Sequence, residues 1–462
     1  MTISWRPEIQ ADDGPLYQAI IGALSQDITL GNLAAGFKLP TQRDLADELG
    51  VALGTVTRAY AEAERRGLIH SEGRRGTFVG KMSRTQPVLS ALFDVGGMTV
   101  DLSKNHPVYA DDPDIAVSLR KLARRSDVRQ HLHYAPSDGF ARHRKAGADW
   151  LTRLGMETDA DSIVVTAGAQ HGVMVSLAAV AEPGDVVATE ALTYPGIRAV
   201  AEMLGLNVMG VEIDGEGLIP EGLERLCRQR RVRAVYCNPT LHNPTNAIMG
   251  EGRRRELAHV AQKHDVIIIE DEILRPLAPD APPPVSSFAP ERSFFVMSAS
   301  KVISAGLRAG FVSAPPTWRR RLVDAIRAMM LAGPSLTVEL LSQWLEDGTA
   351  EEVIARRRRE FERRVQLASE ILEGHEMRMP PHSCFVWLTL PEIWSTTEFA
   401  LEAHRRGVGV APAEIFSVSK GRSANALRVA LGCVDDRETL RTGLTIIADV
   451  MKSSPSQATT TV

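Results

Sequence analysis

The tetrad Ser298-Ala-Ser-Lys301 follows an apolar run of strand character, and Arg308 lies seven residues after the lysine. A lysine amine held beside a carbonyl compound forms a Schiff base. Serine hydroxyls such as Ser298 and Ser300, with a nearby guanidinium, are suited to holding a phosphate group. The tetrad therefore predicts a site for a phosphorylated carbonyl compound. By itself it is a weak motif, because a lysine after a strand is more often a surface charge.

Further apolar runs of strand character occur before the tetrad, and helical stretches separate most of them. This alternation predicts an α/β domain with a largely parallel sheet. Ligands bind such sheets beyond the carboxyl ends of the strands, which is where Lys301 is predicted to lie. The predicted strands are Ile163–Val165, Val186–Ala188, Val208–Val211, Ala234–Tyr236, Val266–Ile269 and Phe294–Met297.

Two other strand ends carry groups suited to the same ligand. Gly168, Ala169 and Gln170 follow the first strand and open a helix, so their backbone N–H groups are predicted to bind phosphate with help from the helix dipole. Asp271 ends the strand that begins at Val266. A carboxylate there is able to pair with a protonated pyridine nitrogen and to keep such a ring an electron sink.

Four more side chains suit the same ring and its substituents. Asn243 offers an amide to a phenolic oxygen, and Tyr194 offers a ring for stacking, with a plain core residue as the alternative for Tyr194. Tyr134 is placed to reach the phosphate, from its own subunit or from a partner subunit. Arg428 suits a carboxylate, with a surface ion pair as the alternative.

The first eighty residues follow a different pattern. Residues 15–30 have apolar positions at helical spacing, and Thr41 is placed to cap a short helix that Gly50 ends. A second helix is predicted from Leu53 to about Arg66, and residues 68–79 suit a two-stranded wing. Helix, turn, helix and wing is the arrangement that lays a second helix in a DNA major groove.

Both halves resemble known families. The N-terminal segment resembles the GntR family through Leu39–Arg43, Val56, Tyr60, Gly67–Ile69 and Gly76–Val79. Residues 100 to 450 resemble fold-type I aminotransferases in the order and spacing of the motifs above. The whole chain thus resembles MocR-type regulators, a GntR subgroup that carries an aminotransferase-like domain.

The resemblance implies roles for residues of this sequence. Pyridoxal 5'-phosphate would be the cofactor, with Lys301 bonded to its aldehyde, Asp271 facing its pyridine nitrogen and Asn243 its phenolic oxygen. The phosphate would be surrounded by Gly168, Ala169, Gln170, Ser298, Ser300 and Arg308, with Tyr134 from a neighbouring protomer. Arg428 would take the carboxylate of an amino-acid or amine effector.

Two departures from the family pattern lie in this domain. A tyrosine usually follows the cofactor-facing aspartate by two or three residues, but Ile273 and Leu274 stand there. The missing phenol would alter the pKa of the cofactor–lysine linkage. Residues 101–107 replace a glycine commonly found near the substrate. Asn105 or His106 is therefore an effector contact, although His106 could equally be a loop residue with its hydrogen bonds satisfied.

The candidate DNA contacts lie on the second helix and the wing. Thr55, Thr57 and Arg58 are predicted to face the groove, and Arg43 to reach phosphate or a base edge. Arg74 and Arg75 are predicted on the wing. The family often has Ser-Arg where this chain has Ala52-Leu53, so base reading is expected to rest on Arg58 and Arg43. The alternative is that these arginines form a solvated helix face.

The predicted organisation is multidomain. A small α+β winged helix-turn-helix at 10–80 and a linker at 81–97 precede an α/β fold-type I transferase domain at 98–452. That domain includes a smaller C-terminal α+β subdomain at about 335–452, and a disordered tail follows at 453–462.

Composition limits the class of protein. Charged residues make up 24% of the chain and its net charge is −4, so a nucleic-acid surface must be local. Four scattered cysteines without a CxxC pair favour a reducing, cytoplasmic location and argue against a zinc site. The long uncharged stretch 162–181 is interrupted by polar residues and glycines, and no membrane span or secretory signal is expected.

Three functions remain open from the sequence. The first is a regulator, expected to be a homodimer on operator DNA, that responds to pyridoxal phosphate and an amino-compound effector. The second is a working aminotransferase with an accessory DNA-binding domain. The third is a sensor of pyridoxal phosphate itself.

Overall fold

The computed structural model describes residues 5–6, 16–30, 33, 36–65, 68–71, 73–80, 99–418 and 424–455. The chain divides into two compact units, Met1–Pro87 and Val88–Val462. Within the described residues, no helix has the length and apolar character needed to cross a membrane.

The N-terminal unit has the predicted winged helix-turn-helix. Its helices and strands are α1 (Leu16–Leu30), α2 (Gln42–Leu49), α3 (Leu53–Arg65), β1 (Ile69–Ser71) and β2 (Thr77–Val79). Ile20, Leu24, Leu45, Val56 and Tyr60 are among the buried residues of its core. The predicted end of the second helix, near Arg66, lies outside the described residues.

Local sequence signals account for the turn between α2 and α3. Thr41 Oγ1 accepts the backbone N–H of Asp44 at 3.2 Å and also bonds its carboxylate at 2.6 Å. Gly50 ends α2 in the left-handed region, with φ of 64°. Glycine adopts that conformation without the steric cost of a Cβ, so α2 can end sharply and α3 can cross it.

The large unit is built on a seven-stranded sheet with the order β4-β12-β11-β10-β9-β5-β6. Only β12 is antiparallel to its neighbours. The central strands are buried on both faces, which explains why they read as continuous apolar runs. The strands are β4 (Ile163–Thr166), β5 (Val186–Glu190), β6 (Asn207–Val211), β9 (Val232–Cys237), β10 (Ile267–Asp271), β11 (Ser293–Ser298) and β12 (Gly310–Ser313), and a β7 (Ile213–Asp214) and β8 (Gly217–Leu218) ribbon follows β6.

Helices cover the sheet on both sides and complete the α/β fold predicted from the sequence. Those of the described chain are α4 (Ile115–Ala123), α5 (Ala141–Arg153), α6 (Ala169–Val180), α7 (Pro195–Met203), α8 (Pro220–Gln229), α9 (Glu251–Lys263), α10 (Pro316–Met330), α11 (Ser335–Glu346), α12 (Thr349–Ile371), α13 (Thr396–Arg405) and α14 (Arg437–Lys452).

A second, smaller sheet has the order β13-β14-β17-β16. It is formed by β13 (Met377–Arg378), β14 (Phe385–Thr389), β16 (Ala411–Pro412) and β17 (Ala426–Ala430). Beside it, β3 (Val100–Asp101) pairs in parallel with β15 (Val408–Gly409). The start of the large unit therefore joins its C-terminal part, which the proposed subdomain boundary near residue 335 did not anticipate. A two-residue strand carries too little periodicity to be recognised in a sequence.

Candidate functional site

A cavity of about 460 Å³ opens where the strands of the large sheet end, and it is bordered by the loop that follows β3. Nearly every predicted cofactor and effector residue contributes to its wall. From that set, the lining includes Asn105, His106, Ala169, Gln170, Tyr194, Asn243, Asp271, Ser298, Ser300, Lys301, Arg308 and Arg428. Residues from β10, β11, β17 and α6, far apart in sequence, thus meet in one space.

Lys301 lies just after β11, and its ammonium nitrogen donates to the backbone carbonyl of Asn105. Burial lowers the pKa of Lys301 to about 8, and the positive charges of Arg428 and Arg308 act in the same direction. Removal of a cation from water favours its neutral form. At pH 7 roughly a tenth of Lys301 is therefore the free amine, the nucleophilic form, and this fraction grows steeply as the pH rises through about 8.

Asp271 ends β10 and is held by two residues, one on β9 and one directly after it. Tyr236 Oη donates to Asp271 Oδ2 at 2.7 Å, and the Asn238 amide donates to the Asp271 carbonyl. Burial raises the pKa of Asp271 to about 6, although the Tyr236 hydrogen bond lowers it. The carboxylate is thus poised to be charged near neutral pH but to take up a proton under mildly acidic conditions.

Tyr236 was not identified as a functional residue from the sequence, where it reads as one more apolar position in a buried strand. Its hydroxyl could have signalled a role. A fully buried tyrosine almost always finds a hydrogen-bond partner. In a strand beside one that ends in Asp271, that carboxylate is an available acceptor.

Gly168, Ser300 and Arg308 form a cradle at the start of α6. Arg308 Nη1 donates to Ser300 Oγ at 3.0 Å, and Ser298 Oγ donates to Ser300 Oγ at 3.0 Å. Gly168 has φ of +88°, and a Cβ there would stand 2.8 Å from Arg308 Nη2. The positive φ therefore favours glycine here, and a side chain would also displace the guanidinium from its place beside Ser300.

Arg428 is only 3% exposed, so it is not the surface ion pair considered as an alternative. Its Nη1 donates to Asn243 Oδ1 at 2.8 Å and its Nη2 to the Ser103 carbonyl at 2.6 Å. The guanidinium carbon lies 4.8 Å from the centre of the Phe416 ring, and Nε has no partner in the described structure. Burial lowers the pKa of Arg428 to about 10. Asn243 uses its oxygen on the arginine, which leaves its amide N–H₂ for a ligand.

The remaining predicted residues of the large unit fall into two groups. Tyr194 and His106 lie on the cavity wall, as do Ile273 and Leu274 in the positions where a tyrosine was expected. Tyr134 is different, since it is 88% exposed and takes no part in the lining. Its predicted contact from a partner subunit stays a prediction.

A second buried polar cluster lies outside the cavity. One ligand atom each of His131, His143 and Glu339 lies within 4.8 Å of the others, an arrangement of metal-binding type. However, the Glu339 carboxylate already bonds Arg125 and lies 3.5 Å from Arg142 Nη2. Because two guanidinium groups neutralise this carboxylate, we interpret the cluster as an ion-pair network that anchors the turn before Tyr134.

The candidate DNA contacts of the N-terminal unit are less free than predicted. The guanidinium carbon of Arg58 stacks 4.1 Å from the Tyr17 ring centre, and Thr57 Oγ1 donates to Gln42 Oε1 at 2.9 Å. Both side chains nevertheless remain exposed. Gln42, which the sequence analysis did not select, therefore shares the surface with Thr57.

The other predicted DNA contacts differ in exposure. Arg43 and Arg75 are exposed, and Thr55 is half-buried. Leu53 is 44% exposed on the same helix, at the position where an arginine was expected. The side chain of Arg74 lies outside the described residues.

Comparison with known proteins matches two family models to this chain. Residues 98–447 match aminotransferase class I and II, and residues 16–79 match the bacterial regulatory proteins of the gntR family. The uncharacterized HTH-type transcriptional regulator YdeF of Bacillus subtilis is 29% identical over 96% of both chains. The vitamin B6 salvage pathway transcriptional repressor PtsJ of Salmonella typhimurium is 28% identical over 92% of this chain and 96% of its own.

Solved structures share the fold of the large unit. The kynurenine aminotransferase of Pyrococcus horikoshii, solved in complex with PMP, superposes with a TM-score of 0.72 at 23% identity. The match covers 85% of this chain and 98% of that one.

Proposed function

This chain belongs to the aminotransferase class I and II family with a gntR-family domain ahead of it, the MocR-type arrangement, and on that premise we propose a transcriptional regulator. It binds double-stranded operator DNA through the winged helix-turn-helix. Pyridoxal phosphate and an amino-acid or amine effector in the cavity control that binding. The observation that carries this proposal is one chain combining a winged helix with a cavity lined by Lys301, Asp271 and Arg428.

The cavity residues fit pyridoxal phosphate. The Gly168 cradle, with Arg308 and two serine hydroxyls at a helix start, suits the phosphate. Asp271 suits the ring nitrogen and the free Asn243 amide the phenolic oxygen. When bound, the cofactor supplies an aldehyde for an amine and a ring that withdraws electrons.

The residues around it manage charge and protons. Lys301 supplies the neutral amine more readily than an exposed lysine does, because its pKa is lowered to about 8. Asp271, when ionised, favours a proton on the facing ring nitrogen. Tyr236 supports that ionised state by donating to Oδ2. Ile273 and Leu274 donate no side-chain hydrogen bond, so the tuning usually provided by a tyrosine is missing from this wall.

Arg428 is the group best suited to an effector. It is a buried cation with one N–H unpartnered in the described structure, and its two bonded acceptors are neutral oxygens. A carboxylate forms a stronger, charge-assisted pair with a guanidinium than a neutral oxygen does. We therefore favour an effector with both an amine and a carboxylate, contacted also by Asn105 or His106.

A homodimer in the cytoplasm is part of the proposal. Exposed apolar side chains are concentrated in segments 109–134 and 330–336, and they include Leu132 and Tyr134. The segments contact each other where His131 Nδ1 lies 2.8 Å from Ser335 Oγ. Exposed apolar patches of this kind mark interaction sites, and a second copy would bring Tyr134 to a partner.

Measuring DNA binding with and without the cofactor tests the proposal. The full chain should bind DNA from upstream of its own gene, with an affinity that pyridoxal phosphate changes about 5-fold or more, as coupled sites typically do. Lys301→Ala should remove the visible absorbance of the cofactor–lysine bond while the protein stays folded. If pyridoxal phosphate does not change the affinity of the wild type for that DNA, the proposal of a cofactor-controlled regulator is wrong.

The same protein separates regulation from turnover. Relatives that match along the winged helix as well as the large unit are named regulators, which favours the regulator over the aminotransferase. Incubation with a panel of amino acids and an oxo-acid acceptor measures transamination. A turnover of about 1–1000 per second would instead favour the aminotransferase.

A further inference from the structure

Two cations of the cavity are bonded to one short backbone segment, residues 103–106. Lys301 donates to the carbonyl of Asn105, and Arg428 donates to the carbonyl of Ser103 at 2.6 Å. These are the two groups that the proposed function assigns to the cofactor aldehyde and to the effector carboxylate. A ligand that takes either group must therefore compete with this segment.

The segment is tightly fitted on its other side. A Cβ added to Gly432 would stand 2.1 Å from the His106 carbonyl oxygen, so the chain passes directly over this glycine. Asn105 Oδ1 is buried without a partner in the described structure. A buried oxygen that lacks a donor is costly, so this conformation depends on the contacts it does have.

The segment also has a particular place in the chain. It directly follows β3, the first strand of the large unit that the structure describes, and β3 is paired with β15 through Leu102 N and Gly409 O at 2.9 Å. Residues 81–98, which precede β3, are the covalent connection to the winged helix. A change at 103–106 thus occurs a few residues from that connection.

We propose that residues 103–106 sense the occupancy of the cavity, because their carbonyls compete with ligand atoms for Lys301 and Arg428. This inference rests on the proposed function and names its first structural step. Condensation of the neutral Lys301 amine with the cofactor aldehyde would release water, which carries away both N–H hydrogens, and so would remove the donor from Asn105. An effector carboxylate would remove the Arg428 donor from Ser103. The segment then loses both contacts to the cavity cations. A ligand that removes them favours a different conformation of the segment, and such a preference is what any switch requires.

Hydrogen exchange of the full chain tests this step directly. The Ser103 amide bonds Asp101 Oδ1 at 2.9 Å and the His106 amide bonds the Lys104 carbonyl at 3.0 Å, so both report on the segment. Pyridoxal phosphate should speed their exchange about tenfold, as expected for loss of a charge-assisted bond. The Leu102 amide, in the β3–β15 pairing, should change little and is the internal reference.

Lys301→Ala gives the decisive comparison. If the lysine only captures the cofactor, the Ser103 and His106 amides of the variant should exchange as slowly as those of the wild type without pyridoxal phosphate. If the lysine also restrains Asn105, the variant without cofactor should exchange at Ser103 and His106 as fast as the loaded wild type, and added pyridoxal phosphate should change nothing. Slow exchange in the variant would overturn the inference.

Gly432→Ala perturbs the segment without removing a ligand-binding group. It should keep the visible cofactor absorbance but exchange fast at His106 whether or not pyridoxal phosphate is present, and its DNA affinity should no longer respond to the cofactor. Gly252→Ala is the matched control, because a Cβ there meets nothing within 4 Å. If the His106 exchange and the DNA affinity of Gly432→Ala still respond to pyridoxal phosphate as in the wild type, the inference is overturned while the proposed function stands. A wild type whose exchange responds but whose DNA affinity does not overturns the proposed function alone.

Discussion

Replacing Tyr236 by phenylalanine should move the pH range in which the protein binds its cofactor. The change deletes one hydroxyl, which donates to Asp271 Oδ2 at 2.7 Å between two buried side chains. A hydrogen bond to a charged group is worth about 1.5–3 kcal/mol. At about 1.4 kcal/mol for each pKa unit, its loss raises the pKa of Asp271 by about 1–2 units. That pKa, already raised to about 6 by burial, would then lie near 7–8.

The consequence for cofactor binding follows from the fraction of Asp271 that is ionised, since the carboxylate is the form that pairs with a protonated ring nitrogen. At pH 7 a pKa of about 6 leaves about 90% ionised, whereas a pKa of 7–8 leaves about 10–50%. Tyr236→Phe should therefore bind pyridoxal phosphate about 2- to 10-fold more weakly at pH 7. At pH 9 Asp271 is ionised in both proteins, and the difference should nearly vanish.

Titration of the visible cofactor absorbance from pH 6 to pH 9 measures both dissociation constants. Tyr60→Phe is the control, because it deletes another buried tyrosine hydroxyl, one that donates at 3.0 Å to the Pro40 carbonyl in the other unit. The control should bind the cofactor as the wild type does at every pH. Equal affinities of wild type and Tyr236→Phe at pH 7, or a deficit that persists unchanged at pH 9, would refute the role assigned to Tyr236.

Further outcomes can be measured on the same protein. Cofactor uptake by the cofactor-free chain should accelerate as the pH rises through about 8. Burial lowers the pKa of Lys301 to about 8, and only the neutral amine attacks the aldehyde. A rate of uptake that does not depend on pH between 6.5 and 9.5 would contradict this prediction. Gly168→Ala should weaken pyridoxal phosphate binding by about tenfold or more, since it places a Cβ 2.8 Å from Arg308 Nη2 at a φ of +88°. Wild-type affinity of this variant in an equilibrium titration would rule out the cradle as the phosphate site. Arg58→Ala should weaken operator binding in a fluorescence anisotropy assay, and wild-type affinity should fall steeply with salt; salt-insensitive binding would argue against phosphate contacts.

Local sequence signals were sufficient for much of the architecture. The predicted strands of the large sheet, the cap at Thr41 and the helix end at Gly50 are confirmed by the structure. Each of these depends on periodicity over a few residues or on one side chain and its nearest backbone. The winged helix and the aminotransferase fold were predicted for the same reason, since their motifs occur in order along the chain.

Contacts between distant segments were predicted less well. Arg58 was expected to point freely at DNA, but it stacks on Tyr17 from α1. Asn243 was expected to offer its amide to a ligand, and the structure shows that half of that amide is already used by Arg428. Such pairings depend on how helices and strands cross, which a single segment does not encode.

By itself, the sequence determined the two families and the strand ends that carry charged and hydroxyl groups, and it singled out Lys301 as the candidate reactive amine. Only the tertiary structure decided the surroundings of those groups: that burial brings Lys301 and Asp271 toward neutral pKa values, that Tyr236 bonds Asp271, and that one backbone segment is held by both Lys301 and Arg428. The physical reason is that desolvation and hydrogen bonding depend on every atom within a few ångströms. Those atoms come from strands and loops as far as 325 residues apart in the chain.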